Sequence, residues 1–338
     1  MVRRLPVYLL IDTSESMAGP AFDAVRQGID NLLSQLRGDP MAIETVWISV
    51  ITFGRKARVA TPLTDIAQFT RPQLVLGSGT ALGAGLDLLE KQMKAEITPH
   101  TADHKGDWKP IVFLLTDGDP TDRWEAAADR FRNEISGKKA NIIAVACGDD
   151  VNNENLRRIT ASVLNLRDGS EASFREFFKW VSASVQTTSV KFSTGRTEGV
   201  ELPSLPPEVT AATTGHTPMA DRWVFLLAKC SRTKGYFLVR FRKESGESKK
   251  GKPGYQSIAA HPLDGFDSEG GDLGLTVSSS QLSLTTSCPH CNNPNMAVCG
   301  HCDAKMCIGG SGRYTCPWCN KADSYGFGGT FDVSGGAG

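Results

Sequence analysis

Residues 5–187 alternate between strand-like and helix-like segments, and this alternation restricts the fold more than any other feature of the sequence. The segments 45–53 (TVWISVITF) and 110–116 are short apolar runs that predict buried strands. The segments 21–36 and 156–163 have apolar residues at helical spacing and predict helices. Strands that alternate with helices form a parallel sheet that helices cover on both faces. We therefore predict an α/β domain with a Rossmann-like, doubly wound, mostly parallel sheet.

The composition of the chain is that of a globular protein. Its 338 residues are 40% hydrophobic, and its formal net charge is zero, so no overall field attracts nucleic acid or membrane. A membrane-spanning helix needs an apolar run of roughly 18 residues or more, and the sequence contains none. The apolar stretch after Arg4 is short for a signal peptide and is typical of a first buried strand. We predict a cytoplasmic protein that does not bind membranes.

The pattern changes after residue 190. Prolines and threonines predict a linker or an extended packing arm, and two apolar runs, Trp223–Leu227 and Tyr236–Phe241, predict an antiparallel strand pair with a turn near Lys234 and Gly235. We divide the chain into a first domain at 1–200, the Pro-rich linker or arm at 201–218, a small β-rich, zinc-ribbon-like domain at 219–327 whose cysteine module spans 288–319, and a flexible Gly-rich tail at 328–338.

Three segments with oxygen-bearing side chains lie at the edge of the predicted sheet where a ligand should bind. Asp12, Ser14 and Ser16 follow the first strand, Thr80 precedes a helix, and Asp117 follows the central strand. Ligands of open α/β sheets bind outside the carboxyl ends of the strands. Carboxylate and hydroxyl oxygens are the ligands that hard divalent cations prefer. The sequence therefore predicts a site for Mg²⁺, or for Mn²⁺ or Ca²⁺.

Each motif also has a simpler interpretation. Ser14, Ser16 or Thr80 could cap a helix, and Asp117 with Gly118 could form an ordinary turn. An aspartate-based phosphohydrolase needs a second acid two residues after the first, where Ser14 stands, and a serine hydroxyl is too weak an acid. The sequence contains no phosphate-binding loop of the G-x-x-x-x-G-K-[ST] type. We predict that the protein is not an enzyme.

Seven of the nine cysteines lie between residues 288 and 319, and six of them form three C-x-x-C pairs. Such pairs direct two thiolates towards one ion, and in the absence of a recognisable secretory signal they favour metal over disulfides. The two outer pairs have 24 residues between them, close to zinc-ribbon spacing. Our first choice of zinc ligands is therefore Cys288, Cys291, Cys316 and Cys319.

The other cysteines leave the number of ions open. Cys299, Cys302 and Cys307 could bind a second zinc with His301 or His290 as fourth ligand, or Cys307 could be a small core residue. We therefore expect one zinc ion, with two possible. The isolated Cys147 and Cys230 are interpreted as buried structural thiols.

The order of the motifs D-x-S-x-S at 12–16, GSGTA at 77–81 and LTDG at 115–118 resembles the von Willebrand factor A domain over about residues 1–200. The resemblance implies that the oxygen donors form that family's metal-ion-dependent adhesion site. It implies a non-catalytic role in which an acidic or phosphorylated protein partner completes the coordination of the cation. Asp119 and Asp122 add negative charge nearby and are candidate partner-binding residues. The ligands that the resemblance implies are Asp12, Ser14, Ser16, Thr80 and Asp117.

The combination of this domain with the cysteine module resembles the TerY-like proteins associated with tellurium resistance. It implies a role in a cytoplasmic stress-resistance or phosphorylation-signalling system, with a protein kinase and a PP2C-like phosphatase as partners. Two alternatives remain open. Nine basic and two acidic residues between Lys229 and Lys252 could bind nucleic acid together with the zinc module. The second alternative function is that of a metal-dependent phosphohydrolase.

Overall fold

The structure is a computed structural model that describes residues 3–101, 105–147, 153–166, 170–193, 202–211, 223–247, 253–267, 275–326 and 332–335. His104, which the sequence places in a polar loop, lies outside the described residues. The chain divides into two compact units. The first unit comprises residues 1–13, 20–74 and 80–217, and the second comprises 14–19, 75–79 and 218–338.

The first unit is an α/β domain. Its described helices are α1 (Pro20–Arg37), α2 (Pro40–Thr45), α3 (Leu82–Glu96), α4 (Glu125–Arg130), which continues into a π-helical turn at Phe131–Ile135, α5 (Asn153–Ile159) and α6 (Glu171–Ser193). Its described strands are β1 (Leu5–Asp12), β2 (Val46–Phe53), β3 (Ala57–Asp65), β5 (Ile111–Thr116), β6 (Asn141–Cys147), β7 (Ser162–Leu166) and β8 (Val209–Ala211). Within the described residues, no helix combines the length and apolar character needed to cross a membrane.

These seven strands form one sheet in the order β3-β2-β1-β5-β6-β7-β8. The five central strands are parallel, and the edge strands β3 and β8 run antiparallel to their neighbours. The central strands are short apolar runs buried on both faces, as in other parallel sheets. This confirms the prediction of a mostly parallel, doubly wound sheet.

Alternate side chains of the central strands pack against different helices. Leu114 of β5 belongs to the core formed with α3 and α4, whereas the preceding residue, Phe113, contacts Phe177 and Trp180 of α6. Strand side chains alternate between the two faces of a sheet. Both faces are therefore covered by helices, as the sequence predicts.

Two elements of the first unit differ from the sequence predictions. The predicted helix at 156–163 is the short helix α5 followed by β7, because Thr160 Oγ1 donates to the Ile142 carbonyl and the chain then pairs with β6. The edge strand β3 is not predicted, since its residues are only partly buried and lack a regular apolar alternation.

The second unit is rich in β-structure. Its described strands are β4 (Leu76–Gly77), β9 (Trp223–Lys229), β10 (Tyr236–Glu247), β11 (Pro253–Leu263), β12 (Phe266–Asp267), β13 (Leu275–Ser278), β14 (Leu282–Ser283), β15 (Asn295–Val298), β16 (Lys305–Ile308), β17 (Gly312–Thr315), β18 (Ala322–Tyr325) and β19 (Asp332–Gly335). A six-stranded sheet has the order β14-β11-β10-β9-β16-β15, and three strand pairs, β12-β4, β13-β19 and β17-β18, stand beside it. The predicted antiparallel pair is confirmed as β9 and β10.

The predicted linker and tail both contain described strands. Val209–Ala211 of the predicted linker is the edge strand β8, which pairs with β7. Asp332–Gly335 of the predicted flexible tail is β19, which pairs with β13. The remaining residues of the tail, and residues 212–218 of the linker, lie outside the described residues.

The contact between α1 and α6 depends on Gly28. A Cβ atom at this position would lie 2.0 Å from Phe178 Cδ2, inside the core. We expect Gly28→Ala to lower the free energy of unfolding by about 1–3 kcal/mol through overpacking. Urea denaturation measures this change, with Gln27→Ala on the exposed side of the same helix as control. Adding Phe178→Leu to Gly28→Ala should restore part of the stability, and a fully stable single variant would contradict the packing.

Candidate metal sites

Asp12 and Asp117 lie at the same edge of the parallel sheet. Asp12 is the last residue of β1 and Asp117 directly follows β5, and these two strands are parallel neighbours. The chain order of the strands reverses between them, which marks the point where open α/β sheets bind ligands. Thr116 Oγ1 donates a 2.5 Å hydrogen bond to Asp12 Oδ2, which fixes the orientation of the buried carboxylate.

Thr80 lies in the loop that leads into α3. The next residue, Ala81, donates from its backbone N–H to the Gly54 carbonyl at 2.6 Å, and Gly54 follows the last residue of β2, the neighbour of Asp12. The Thr80 N–H donates to Thr121 Oγ1 at 2.9 Å. The Thr80 hydroxyl oxygen is buried and has no hydrogen-bond partner within the described residues. A buried polar atom of this kind needs a partner, and a cation is one that fits.

Ser14 and Ser16 lie in the segment 14–19, within a short 3₁₀ turn and its N-terminus. Their hydroxyl oxygens are 2.9 Å apart and both are buried. Between them, the buried Glu15 accepts a 2.6 Å hydrogen bond from the Gly79 N–H. Ser14 stands at the N-cap position of the turn, but neither the Ser14 nor the Thr80 side chain forms a capping hydrogen bond.

Negative charge is concentrated at this edge of the sheet. Asp12 is fully buried at the end of β1, and the thiol of Cys147 lies at the end of β6. Burial raises the pKa of the Cys147 thiol well above its usual range, and the nearby charges of Asp117 and Asp12 raise it further. Both carboxylates therefore act on the same thiol at this edge of the sheet. Negative charge concentrated at a buried site is costly, so the arrangement favours a bound cation.

Asp119 and Asp122 already have partners in the chain. The Asp122 carboxylate accepts hydrogen bonds from the N–H groups of Gly83 and Ala84, and so caps the N-terminus of α3. Asp119 Oδ1 accepts a 3.0 Å hydrogen bond from Asn155 Nδ2. These local contacts explain why acids follow Asp117, and the contact of either residue with a partner protein stays a prediction.

Eight cysteines form two groups of four. In each group the sulfur atoms all lie within 4.8 Å of one another. We call them the first cysteine cluster (Cys230, Cys288, Cys291 and Cys307) and the second cysteine cluster (Cys299, Cys302, Cys316 and Cys319). Neighbouring sulfurs are 3.6 Å apart in the first cluster and 3.7 and 3.8 Å apart in the second. A tetrahedron with Zn–S bonds of ~2.3 Å has edges of about 3.8 Å, so both clusters fit zinc.

The same tight turn is built four times around these cysteines. The first cysteine, at 230, 288, 299 or 316, donates from its N–H to the carbonyl five residues later and accepts from the N–H four residues later. The fourth residue after the cysteine has a positive φ in every case: Lys234, Asn292, Asp303 and Asn320. Three of the turns carry a second cysteine at the third position after the first, whereas the turn at 230 carries Thr233 there. The turn at 230 therefore supplies one sulfur where the others supply two.

The missing sulfur of the first cluster comes from a strand. β16 lies between β9 and β15, and its Met306 is the parallel register partner of Lys229. The next residues in this register are Cys307 and Cys230, which brings them together. Cys307 Sγ also accepts a 3.3 Å hydrogen bond from the Ser231 N–H.

One thiol in each cluster has a pKa below its ordinary value. Burial raises the pKa of Cys230, but hydrogen bonds from Thr233 outweigh burial and bring this pKa to about 6. Burial also raises the pKa of Cys299, and backbone N–H groups lower it to about 6. Partial loss of water around Cys302, together with hydrogen bonds to neighbouring cysteine sulfurs, raises its pKa to about 12, and burial raises the pKa of Cys288. A bound divalent cation would lower the pKa of all four thiols, because it stabilises the four thiolates together.

The structure corrects the sequence-based grouping of the cysteines. Cys288 and Cys291 do not share a cluster with Cys316 and Cys319, because each pair joins a different partner in the fold. Neither His290 nor His301 is the fourth member of a cluster. Cys230 is not an isolated structural thiol. The sequence signal at this turn is weak, because CSRTKG shares only its first cysteine with the other turns and has a threonine where they have their second cysteine.

Comparison with known proteins gives two family matches. A family model for the von Willebrand factor type A domain matches residues 7–180, and one for the TerY-C metal binding domain matches residues 220–338. No curated protein matches the sequence.

Similar solved structures cover parts of the chain. Proximal thread matrix protein 1 from the mussel byssus is 18% identical with a TM-score of 0.40, and the match covers 54% of this chain and 48% of that protein. The chain thus spans about half the length of that relative. The PilB minor pilin from Streptococcus sanguinis is 13% identical with a TM-score of 0.41, and the match covers 55% and 62% of the two chains. A von Willebrand factor type A protein from Catenulispora acidiphila is 14% identical with a TM-score of 0.39, covering 79% and 68%.

The two cysteine clusters predict the zinc content of variants. The full chain should bind two zinc ions, one per cluster, and Cys230→Ser should reduce this to one, because the first cluster loses a ligand. Cys147→Ser, outside both clusters, should leave the zinc content unchanged. Metal analysis of the purified proteins measures the ratio. Full zinc content in Cys230→Ser would contradict the grouping.

Proposed function

Because the chain belongs to the family of proteins with a von Willebrand factor type A domain, we propose that it is a non-catalytic adaptor that docks a protein partner through a divalent cation. The cation is Mg²⁺, or Mn²⁺ or Ca²⁺, and the residues that would hold it are Asp12, Ser14, Ser16, Thr80 and Asp117. When bound, it supplies an electrophilic centre with a coordination position for an oxygen from another molecule.

The observation that carries this proposal is the Thr80 hydroxyl oxygen, buried without a partner at the edge of the sheet that also carries Asp12 and Asp117. A hydroxyl kept only for stability would make a hydrogen bond when buried. Five donors of which three are neutral hydroxyls leave a divalent cation short of negative charge. A carboxylate or phosphate from a partner compensates for this shortage.

The position of Arg55 favours a partner protein that supplies a negatively charged group. It follows Gly54, whose carbonyl accepts the hydrogen bond from Ala81, so its backbone adjoins the loop of Thr80. Arg55 Nη1 is buried and has no hydrogen-bond partner within the described residues. A guanidinium group binds phosphate or carboxylate through charge-assisted hydrogen bonds. The Thr80 hydroxyl and the Arg55 guanidinium thus lie in adjoining segments. A carboxylate or phosphate of a partner protein could therefore contact the cation and Arg55 together.

We place this adaptor in a cytoplasmic stress-resistance or phosphorylation-signalling system, with a protein kinase and a PP2C-like phosphatase as candidate partners. This setting follows from the resemblance to the TerY-like proteins, and the match to the TerY-C metal binding domain supports the metal-binding part of the proposal. The cysteine clusters hold the second unit together in this proposal, since closed four-cysteine zinc sites are structural.

Nucleic-acid binding by the basic stretch after Lys229 receives less support. The Arg240 guanidinium stacks 4.0 Å above the Trp223 ring, and Lys229 Nζ lies 4.3 and 4.5 Å from the rings of Tyr236 and Trp318. Cations held against aromatic rings stabilise the sheet and are less available to phosphates. The adaptor is therefore the one function that we propose.

Thr80→Val tests the cation site with little effect on the fold. The change removes a hydroxyl that makes no hydrogen bond, so the free energy of unfolding should change by less than about 0.5 kcal/mol. Loss of a ligand should weaken Mn²⁺ binding by about tenfold or more, as measured by electron paramagnetic resonance. Capture of a protein partner should depend on Mg²⁺ and be lost in the variant.

The control is Thr45→Val on the other side of the first unit. Thr45 Oγ1 is hydrogen-bonded to the Met41 carbonyl at 2.8 Å and to Ser189 Oγ at 2.6 Å. This variant should lose about 1–3 kcal/mol of stability and keep Mn²⁺ affinity. Equal Mn²⁺ affinity in wild type and Thr80→Val, or partner capture that survives chelation of divalent cations, would refute the proposal.

Arg55→Met tests whether the site prefers an anionic partner. With Mn²⁺ bound, inorganic phosphate should bind the variant about tenfold more weakly than wild type, because a charged hydrogen bond is lost. Mn²⁺ affinity itself should not fall, since Arg55 is not a proposed ligand. Paramagnetic broadening of the phosphate signal in ³¹P NMR reports the binding. The matched control is Arg58→Met on the exposed surface of β3, and equal phosphate affinity in both variants would exclude Arg55 from the docking site.

A further inference from the structure

The two cysteine clusters differ in their exposure to solvent. In the first cluster three cysteines are buried and Cys291 is partly buried. In the second cluster Cys299 and Cys316 are buried, Cys319 is partly buried, and Cys302 is exposed. Cys302 is thus the single exposed cysteine of the eight that could bind zinc. Oxidants and electrophiles reach an exposed thiolate sooner than a buried one.

The first cluster is also surrounded by a larger apolar core than the second. The first cluster packs into a core that includes Val224, Phe237 and Tyr255, and its Cys307 lies within the six-stranded sheet. The second cluster joins two hairpin turns, 299–304 between β15 and β16 and 316–321 between β17 and β18. Only a small apolar group surrounds it, formed by side chains of the same hairpins. Opening the second cluster therefore disturbs less of the core than opening the first.

We propose that Cys302 is a site of oxidative modification, at which a hydroperoxide opens the second cysteine cluster while the first stays closed. Cys302, which zinc coordination would keep as a thiolate, attacks the O–O bond of the hydroperoxide, which breaks to leave Cys302 as a sulfenic acid and release hydroxide or alkoxide. Cys316 Sγ, 3.8 Å from Cys302 Sγ, then attacks the oxidised sulfur. A disulfide forms, a second hydroxide leaves, and the two thiolates have lost two electrons to the peroxide.

The disulfide removes two of the four ligands of the second cluster, so zinc dissociates. The two sulfurs must approach by about 1.8 Å to reach the disulfide bond length of ~2.05 Å, a shift that paired loops can make. Trp318 lies inside the affected turn. Its Nε1 donates to the Lys305 carbonyl at 2.9 Å, and its ring packs edge-on against Tyr236 at 5.4 Å. Oxidation should loosen this contact and detach the β17-β18 hairpin from the six-stranded sheet.

Zinc release from the zinc-loaded full chain tests the proposal. Under hydrogen peroxide, one of two zinc ions should appear at a chromogenic chelator about tenfold faster than the other. Mass spectrometry after differential alkylation should then find a disulfide between Cys302 and Cys316, with the first cluster still reduced. Trp318 fluorescence should change in step with the fast phase. Release of both ions at one rate, early oxidation of the first cluster, or a purified chain without zinc in the second cluster would overturn the proposal.

A matched pair of variants assigns the fast phase to one residue. Cys302→His keeps a nitrogen ligand for zinc and removes the exposed thiolate, so zinc should be retained and the fast phase lost. Cys291→His makes the same change at the equivalent position of the first cluster and should leave the fast phase unchanged. A fast phase that persists in Cys302→His would overturn the proposal. The disulfide map of the wild-type chain decides the matter if either variant fails to bind zinc.

Discussion

The parallel pairing of β1 with β5 is the contact on which the cation site depends. Register partners run from Val7 with Ile111 to Ile11 with Leu115, which brings the last residue of β1 beside Thr116. The hydrogen bond from Thr116 to Asp12 follows from this pairing, and Asp117 is the next residue. On the other side, β2 pairs with β1 and is followed by Gly54, whose carbonyl accepts a hydrogen bond from the Ala81 N–H. One ladder thus positions donors that are far apart in sequence.

The oxygen donors could be predicted from sequence because a parallel sheet needs little more than strand order. Every parallel strand ends at the same edge, so recognising the strands before Asp12 and Asp117 is enough to bring those acids together. The partners of Asp119 and Asp122 could not be predicted, since Asn155 and the N-terminus of α3 are non-local. Likewise, no pattern in the sequence shows that the Thr80 hydroxyl lacks a hydrogen-bond partner.

The grouping of the cysteines depends on which strands are neighbours in the fold, and the spacing of the cysteines in the sequence predicts it wrongly. Each C-x-x-C turn is local and visible in the sequence, but the ion that two turns share depends on which strands are neighbours. Cys307 joins Cys230 because β16 is inserted beside β9, a pairing between segments about 75 residues apart. Cys291 approaches Cys307 because β15 precedes β16 in an antiparallel hairpin. Residue counts between pairs carry no information about these neighbours.

The chain therefore contains two kinds of candidate metal site with opposite chemistry. Four thiolates satisfy zinc completely, so each cysteine cluster exchanges no ligand with a partner unless a sulfur is removed. In our proposal the oxygen site has few charged donors and would hold a hard cation that keeps exchangeable positions. Adding a carboxylate in place of Ser14 would satisfy the cation internally and weaken its attraction for an external anion. The serines at positions 14 and 16 are thus better suited to docking than acids would be, and in this proposal the partner provides the missing negative charge.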